Sequence, residues 1–118
     1  MKTRAGLAGS SWREAAVLLG MGEDGHTASL FPGQVWGETE DSPDALPIDT
    51  APKPPPERVS LSAARLNRSA RVWFLITGPS KRHALRRWES GEALPVTVVQ
   101  GRQETVAWLD AAAWPADD

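Results

Sequence analysis

The residues in this sequence best suited to chemistry are an aspartate and a histidine, Asp24 and His26, two positions apart in a glycine-rich segment. A neutral imidazole can take a proton from water near neutral pH, and a neighbouring carboxylate can fix its tautomer and raise its basicity. Gly22 and Gly25 allow the backbone to bend tightly, so that both side chains project together. The pair suits acid/base chemistry in which His26, as a candidate general base, takes a proton from water that attacks an ester carbonyl, with Asp24 either orienting it or holding the loop. The alternative is that His26 only makes a structural hydrogen bond in the loop.

The same segment, residues 20–25, also satisfies the Gly-x-Gly-x-x-Gly pattern of dinucleotide-binding turns. Two features disfavour that interpretation. Glu23 and Asp24 would place two carboxylates where a pyrophosphate must lie, and Pro32 ends the following segment before a crossover helix could form. We therefore predict at most a short helix over residues 27–31, and we expect no nucleotide cofactor.

The first half of the chain contains one strand pattern and one long irregular segment. The apolar run over residues 15–19 predicts a strand that is central in a parallel sheet and buried on both faces. The loop with Asp24 and His26 would then leave its carboxyl end, where α/β sheets place their ligand sites. Residues 34–57 are rich in proline and acidic residues, which indicates a surface excursion with little regular structure.

The second half alternates strand and helix patterns. Ser62 is expected to cap a short helix that ends near Asn67, Pro79 to begin a helix that runs through Trp88, and Asp110 to cap a last short helix. The candidate strands are residues 58–62, 71–77, 95–99 and 105–109, of which 71–77 is expected to be central. This alternation predicts an α/β fold with a largely parallel sheet.

The composition is that of a small globular protein with a small-molecule or protein partner. The chain has 118 residues, of which 41% are apolar and 24% charged, with a net charge of −2. One domain is therefore expected, with no nucleic-acid or membrane partner. The longest apolar run is far too short to span a bilayer, and the N-terminus does not read as a signal peptide. The absence of cysteine excludes thiolate metal sites and favours a cytoplasmic location, and we expect no metal.

Residues 20–33 carry a more specific pattern. Gly-Met-Gly-Glu-Asp-Gly-His-Thr-Ala-Ser-Leu-Phe-Pro-Gly resembles the Gly-x-Gly-x-Asp-Gly-His-x-Ala signature of the glucosamine-6-phosphate isomerase/6-phosphogluconolactonase family, in its lactonase branch. Isomerases normally carry a glutamate where Phe31 stands. The resemblance therefore implies hydrolysis of 6-phospho-D-glucono-1,5-lactone to 6-phosphogluconate, a pentose phosphate pathway reaction, rather than isomerisation. It also implies a Rossmann-like, largely parallel sheet with flanking helices.

The resemblance further implies a site for the substrate phosphate. Arg58 opens a segment similar to the family's Arg-Ile-Thr-Leu-Thr strand, and Lys81 ends a segment similar to its Thr-Gly-x-x-Lys pattern; both family positions are associated with phosphate binding. Arginine and lysine form strong charged hydrogen bonds with phosphate. Lys81 is also expected in the first turn of a helix, where backbone N–H groups favour anions. Gly22 and Gly25 are expected to line the substrate site.

The resemblance covers residues 13–113 but only the C-terminal half of the family pattern. The family's first strand, its phosphate-gripping loop and an Asp-Glu-Arg segment that lines the pocket have no counterpart in this sequence. We therefore expect a single, incomplete domain with exposed sheet edges and an apolar face. The alternative to a lactonase is a truncated or split half without stand-alone activity, which needs a complementing chain or a homo-oligomer.

Overall fold

The computed structural model describes residues 16–115, and the N-terminal segment discussed above lies outside that range. A parallel sheet contains β1 (Ala16–Leu19), β4 (Arg71–Ile76) and β5 (Glu104–Leu109), in the order β1-β4-β5. A separate antiparallel pair contains β2 (Ala45–Ile48) and β3 (Arg58–Leu61). The helices are α1 (Ala63–Leu66), α2 (Arg82–Glu89) and α3 (Pro95–Val98), with a 3₁₀ turn at Pro79–Lys81 before α2. The predicted α/β class with a parallel sheet and flanking helices is confirmed.

The hydrophobic core lies on one face of the parallel sheet. As predicted, β4 is the middle strand of the described sheet, because it pairs in parallel with both β1 and β5. Its alternating side chains point into the core, where the helices pack against them. Members of this core from β4 and from the three helices are Val72, Phe74, Ile76, Leu66, Leu85 and Val96. The predicted Ser62 cap is also present, since its hydroxyl oxygen accepts a hydrogen bond from the Arg65 N–H at 3.1 Å.

The opposite face of the parallel sheet is apolar and exposed. The strand register places Leu18 beside Trp73, Trp73 beside Val106, and Leu75 beside Trp108. Leu18 is 61% exposed, Leu75 52% and Trp108 54%. We call these five residues the open face. Because parallel sheets normally have both faces covered, this surface is unusual for the fold class.

β1, the strand predicted over residues 15–19, has fewer neighbours than expected among the described residues. Residue 15 lies outside the described range, and β1 pairs with β4 alone among the described strands. Leu18 projects onto the open face, so the prediction of a central strand buried on both faces is wrong for the described part of the chain. The run is apolar throughout, although one of its two faces is not covered by the described residues.

Residues 95–99 were predicted as a strand and instead contain α3, so that prediction is wrong. Pro95 occupies the first helical position, where its missing N–H costs nothing. The Leu94 N–H donates to the Thr97 hydroxyl oxygen at 3.2 Å, which satisfies a donor at the helix start. Valines at positions 96 and 98 favour a strand locally, but burial of Val96 in the core stabilises the helix.

Two irregular segments also differ in detail from the expectation. Residues 34–57 contain β2, which the proline at position 47 obscured in the sequence and which pairs with β3 at the edge of a two-stranded ribbon. The last predicted helix is a turn over residues 111–113, in which the Ala113 N–H donates to the Asp110 carboxylate at 2.8 Å. Within residues 16–115, no helix combines the length and the apolar character that crossing a bilayer requires.

Candidate active site

A tight loop carries Asp24 and His26 away from the carboxyl end of β1. The Gly22 N–H donates to the His26 carbonyl at 2.9 Å, and the Gly25 N–H donates to the Gly22 carbonyl at 3.0 Å. Gly25 has a φ of 87°, in the left-handed region that glycine adopts without steric cost. The two hydrogen bonds close the loop and place the Asp24 and His26 side chains on the same side of it.

A second turn follows the loop in place of the predicted short helix. The Leu30 N–H donates to the Thr27 carbonyl at 2.9 Å, and these two residues form an isolated antiparallel bridge. The Thr27 hydroxyl donates to the Gly20 carbonyl at 2.7 Å and ties this turn to the start of the loop. Because residues 27–31 are not helical, they form no crossover helix whose N-terminus could face a dinucleotide pyrophosphate.

The Asp24 carboxylate and the His26 imidazole form a direct pair. His26 Nδ1 lies 2.6 Å from Asp24 Oδ1, and the same oxygen accepts the His26 backbone N–H at 3.1 Å. Burial alone raises the pKa of Asp24, but the hydrogen bonds from the imidazole and the backbone N–H of His26 outweigh it and lower that pKa below its usual value. An ionised carboxylate only accepts hydrogen bonds, so Nδ1 is the donor of this pair, and in the neutral imidazole the lone pair is then on Nε2.

Of the two glycines predicted to bind substrate, only Gly22 lies directly at this pair. A Cβ atom at Gly22 would fall 2.0 Å from Nδ1 and Cε1 of His26, so the space beside the backbone is filled by the imidazole. Gly25 is buried, and a Cβ atom there would fall 2.9 Å from Leu94 Cδ1. The structure thus places Gly22 against His26 and Gly25 against the helix layer; their contact with substrate stays a prediction.

Arg58, a predicted phosphate ligand, is brought to the same loop through Phe31. The Arg58 Cζ atom lies 5.4 Å from the centroid of the Phe31 ring, and that centroid lies 4.7 Å from the centre of the His26 ring. The guanidinium also donates to the carbonyls of residues 53, 54 and 55 at 2.9–3.1 Å and contacts Ser29 Oγ at 3.5 Å. Four of its five N–H groups are therefore engaged within the protein.

Lys81, the other predicted phosphate ligand, lies in the 3₁₀ turn after β4. Because β1 and β4 are parallel neighbours, with Leu19 beside Phe74, the loops that follow them leave the same edge of the sheet. The Lys81 ammonium makes no hydrogen bond or ion pair within the part of the chain that the structure describes, and the side chain is half-buried. It remains available for an anion at this edge.

Sequence reasoning missed several residues that hold the loop. The Trp36 indole N–H donates to the Phe31 carbonyl at 2.6 Å, and the Ser29 N–H donates to Ser60 Oγ at 3.1 Å. The Val96 N–H at the start of α3 donates to the Gly25 carbonyl at 3.2 Å. The last two contacts join residues far apart in sequence, and no local pattern predicts them. No group of three or more His, Asp or Glu side chains in residues 16–115 is arranged to hold a metal ion.

A family model and curated proteins match most of this chain. The family described as glucosamine-6-phosphate isomerases/6-phosphogluconolactonase matches residues 4–108. The 6-phosphogluconolactonase of Rattus norvegicus is 43% identical over 100 residues, which are 82% of this chain and 38% of the relative. The human 6-phosphogluconolactonase is 40% identical over 101 residues, which are 82% of this chain and 39% of the relative. The chain thus spans about two fifths of the length of the curated relatives it matches.

Solved structures show the same fold. The 6-phosphogluconolactonase of Thermotoga maritima superposes with a TM-score of 0.71 at 34% identity, over 80% of this chain and 42% of that one. A monomeric glucosamine-6-phosphate deaminase superposes with a TM-score of 0.60 at 22% identity, which is evidence of a shared fold alone. Both the extent of the family match and the identity to its lactonase members lead to one conclusion. This chain belongs to the glucosamine-6-phosphate isomerase/6-phosphogluconolactonase family.

Proposed function

We propose that the chain contributes the catalytic loop of a 6-phosphogluconolactonase, which hydrolyses 6-phospho-D-glucono-1,5-lactone to 6-phosphogluconate. The observation that carries the proposal is the 2.6 Å contact between His26 Nδ1 and Asp24 Oδ1. It directs Nε2 away from the carboxylate and selects the tautomer of the neutral imidazole in which Nε2 can act as a general base. The names of the rat and human relatives, both 6-phosphogluconolactonases at 40% identity or above, support the choice of substrate.

The proposed reaction proceeds by addition and elimination at the lactone carbonyl. His26 Nε2 removes a proton from water as the water oxygen bonds to the carbonyl carbon, which gives a tetrahedral oxyanion and an imidazolium. The Asp24 carboxylate stabilises that imidazolium through Nδ1. The intermediate then expels the ring oxygen, which takes the proton from His26 Nε2 and becomes the free hydroxyl of 6-phosphogluconate. The imidazole returns to its neutral form.

We assign the substrate phosphate chiefly to Lys81, with a smaller contribution from Arg58. Within residues 16–115 the Lys81 ammonium has no partner, and it lies at the sheet edge that also carries the His26 loop. Arg58 has a single N–H group left for a phosphate oxygen, because its other donors contact Ser29 and the backbone of residues 53–55. Lys81→Ala should therefore raise KM more than Arg58→Lys, which keeps the positive charge.

The test is a hydrolysis assay on freshly prepared lactone, corrected for spontaneous ring opening. His26→Ala should lower kcat by about 10²- to 10⁴-fold, the usual contribution of a general base. His83→Ala is the matched control, since His83 is the other histidine of the chain and is exposed on α2. Full activity of folded His26→Ala protein would reject the assignment of the base.

Isomerase activity is the competing enzymatic proposal, and one residue opposes it. Phe31 stands where the isomerase glutamate is expected, and its ring packs against His26 with an interplanar angle of 36°. A phenyl group cannot exchange protons with a sugar ring oxygen. We therefore expect no conversion of glucosamine 6-phosphate, measured by ammonia release, at enzyme concentrations that hydrolyse the lactone.

We propose further that the described residues form part of a larger domain, and that another polypeptide segment of the family fold covers the open face. This second candidate is favoured by the exposed Leu18, Leu75 and Trp108 and by the length of the relatives. On this proposal the chain supplies the base, and the covering segment supplies further groups of the pocket. Addition of the rest of a relative's sequence should then raise hydrolysis above that of the chain alone.

A further inference from the structure

Three side chains from two separate segments lie in a row beside the catalytic loop. The imidazole of His26 packs against the ring of Phe31, with centroids 4.7 Å apart, and the guanidinium of Arg58 lies over Phe31 at 5.4 Å. Phe31 is fully buried, whereas the His26 side chain is 18% exposed. The ring of Phe31 is therefore fixed by its surroundings and can act as a rigid wall for the imidazole.

The wall and the carboxylate restrain the imidazole in different directions. Asp24 Oδ1 fixes the Nδ1 edge of the ring at 2.6 Å, but a single hydrogen bond permits rotation about its own axis. Contact with the Phe31 ring opposes that rotation, because it covers one face of the imidazole. Only with both contacts does the Nε2 lone pair have one defined direction.

Arg58 in turn holds the segment that carries this wall. Its guanidinium contacts Ser29 Oγ, two residues before Phe31, at 3.5 Å and donates to the carbonyls of residues 53, 54 and 55. The Ser29 N–H also donates to Ser60 Oγ, so the turn before Phe31 is tied to β3 at two points. Arg58 thus joins the proline-rich segment, β3 and the catalytic loop around the Phe31 ring.

We infer that Phe31 and Arg58 are positioning residues that fix the orientation of the His26 imidazole. For Arg58 this function is additional to any contact with phosphate and depends on the forked shape of the guanidinium rather than on its charge. The kinetic consequence rests on the proposed lactonase function, whereas the structural consequence does not. Because small errors in the placement of a base are costly, loss of either residue should act on kcat.

The structural consequence is tested by NMR of the two histidine rings in the full chain. In Arg58→Lys, the His26 ring resonances should move toward those of an exposed histidine, although Phe31 is retained. In Phe31→Leu, the order parameter of the His26 ring C–H groups should fall. The His83 ring is an internal reference in each sample and should not change, because it is exposed on α2. Arg68→Lys, at an exposed arginine paired with Asp44, is the matched control substitution.

The kinetic consequence is tested by measuring kcat and KM separately for each variant. The conditions are those in which enzymatic hydrolysis is faster than spontaneous ring opening. Arg58→Lys and Phe31→Leu should lower kcat by about 10- to 100-fold with little change in KM, as expected for a misplaced base. An increase in KM alone for Arg58→Lys would overturn the positioning function in favour of phosphate binding. Unchanged His26 resonances in folded Arg58→Lys and an unchanged order parameter in Phe31→Leu would overturn it without any activity measurement. If His26→Ala keeps full activity, and the His26 signals still change in Arg58→Lys and Phe31→Leu, the lactonase mechanism fails and the positioning inference stands.

Discussion

The backbone at Gly22 lies directly against the His26 imidazole, so a single methyl group would disturb the pair. A Cβ atom there would fall 2.0 Å from two imidazole atoms and 3.0 Å from Asp24 Oδ1. Real Cβ contacts are not that short, and either the ring or the loop backbone must move. The ring is the more mobile of the two, since the loop is closed by the hydrogen bonds of Gly22 and Gly25.

We therefore predict that Gly22→Ala lowers kcat for lactone hydrolysis by about 10²-fold or more, close to the effect of His26→Ala, because the imidazole is displaced. Gly20→Ala is the matched control, since a Cβ atom at Gly20 has no neighbour within 4 Å. The measurements are kcat and the chemical shifts of the His26 ring in both variants. Wild-type kcat in a folded Gly22→Ala protein would contradict the prediction.

The Asp24 carboxylate gives the protein a specific dependence of stability on pH. Its pKa is lowered in the folded state because the hydrogen bonds from His26 outweigh the effect of burial. A carboxylate with a lowered folded pKa stabilises the protein fully above its unfolded pKa, about 3.9 for aspartate, and this stabilisation is lost as the pH falls through the folded pKa. The contribution of the Asp24 carboxylate should thus be present at pH 6 and disappear in acid.

Asp24→Asn tests this dependence. We predict that the variant is less stable than wild type by about 1 kcal/mol at pH 6, the net size of one hydrogen bond, and that the difference shrinks below about pH 4. Urea unfolding at several pH values measures the free energy of unfolding of both proteins. Asp44→Asn is a comparison at an exposed carboxylate paired with Arg68. A difference between Asp24→Asn and wild type that grows as the pH falls would show that the sign is wrong.

The sequence was sufficient to predict that the Asp24 and His26 side chains lie together but not the full environment of Arg58. Asp24 and His26 are two residues apart, so local glycine geometry almost determines that they meet. The role of Arg58 depends on carbonyl groups of residues 53–55, whose direction is set by the path of a proline-rich loop. Since backbone carbonyls are present at every position, no residue type in the sequence marks them as partners.

At the scale of elements, α3 is the helix that supports the loop with Asp24 and His26. Its first turn donates the Val96 N–H to the Gly25 carbonyl, and the preceding Leu94 side chain packs against Gly25. Thr97 stabilises that turn, because its hydroxyl oxygen accepts the Leu94 N–H at 3.2 Å while its O–H donates to the Glu92 carbonyl at 2.9 Å. A residue outside the motif therefore supports the loop.

We predict that Thr97→Val, which keeps the shape of the side chain, lowers the free energy of unfolding by about 1 kcal/mol, because the buried Leu94 N–H loses its partner. Amide hydrogen exchange at Val96 should also accelerate. Thr77→Val is the control, since Thr77 is exposed and its side chain has no hydrogen bond within residues 16–115. Equal stability and equal Val96 exchange in the two variants would show that α3 does not depend on Thr97.

The sequence predicted β4 correctly as a strand, but it did not predict α3 or β2. The run of β-branched and aromatic residues in β4 predicted a central strand, and β4 lies between β1 and β5 with one face in the core. By contrast, α3 is a single helical turn of β-branched residues, so its helical state depends on burial against the core rather than on propensity. β2 was missed because its pairing with β3 outweighs the usual exclusion of proline from strands.

At the scale of the whole molecule, the parallel sheet has a core on one face and an apolar surface on the other. The open face combines Leu18, Trp73, Leu75, Val106 and Trp108, with the two indoles packed edge to face at 6.3 Å. Exposed apolar patches of this kind mark surfaces that bind another polypeptide. The relatives are more than twice the length of the matched segment, so the family contains ample sequence to cover this face.

The open face can be tested with a separate purified polypeptide. That polypeptide is the part of the Rattus norvegicus relative that lies outside the matched 100 residues. Wild-type chain should bind it, measured by titration calorimetry, and Leu75→Glu should bind at least about tenfold more weakly, because burial of a leucine contributes about 1.5–3 kcal/mol. Val35→Glu makes the same kind of change at a loop residue that is 77% exposed and outside the open face, and it should bind like wild type. Both substitutions are at exposed positions, so neither should unfold the chain. Equal binding by Leu75→Glu and Val35→Glu would show that the open face is not the docking surface, and the covering segment would then have to bind elsewhere.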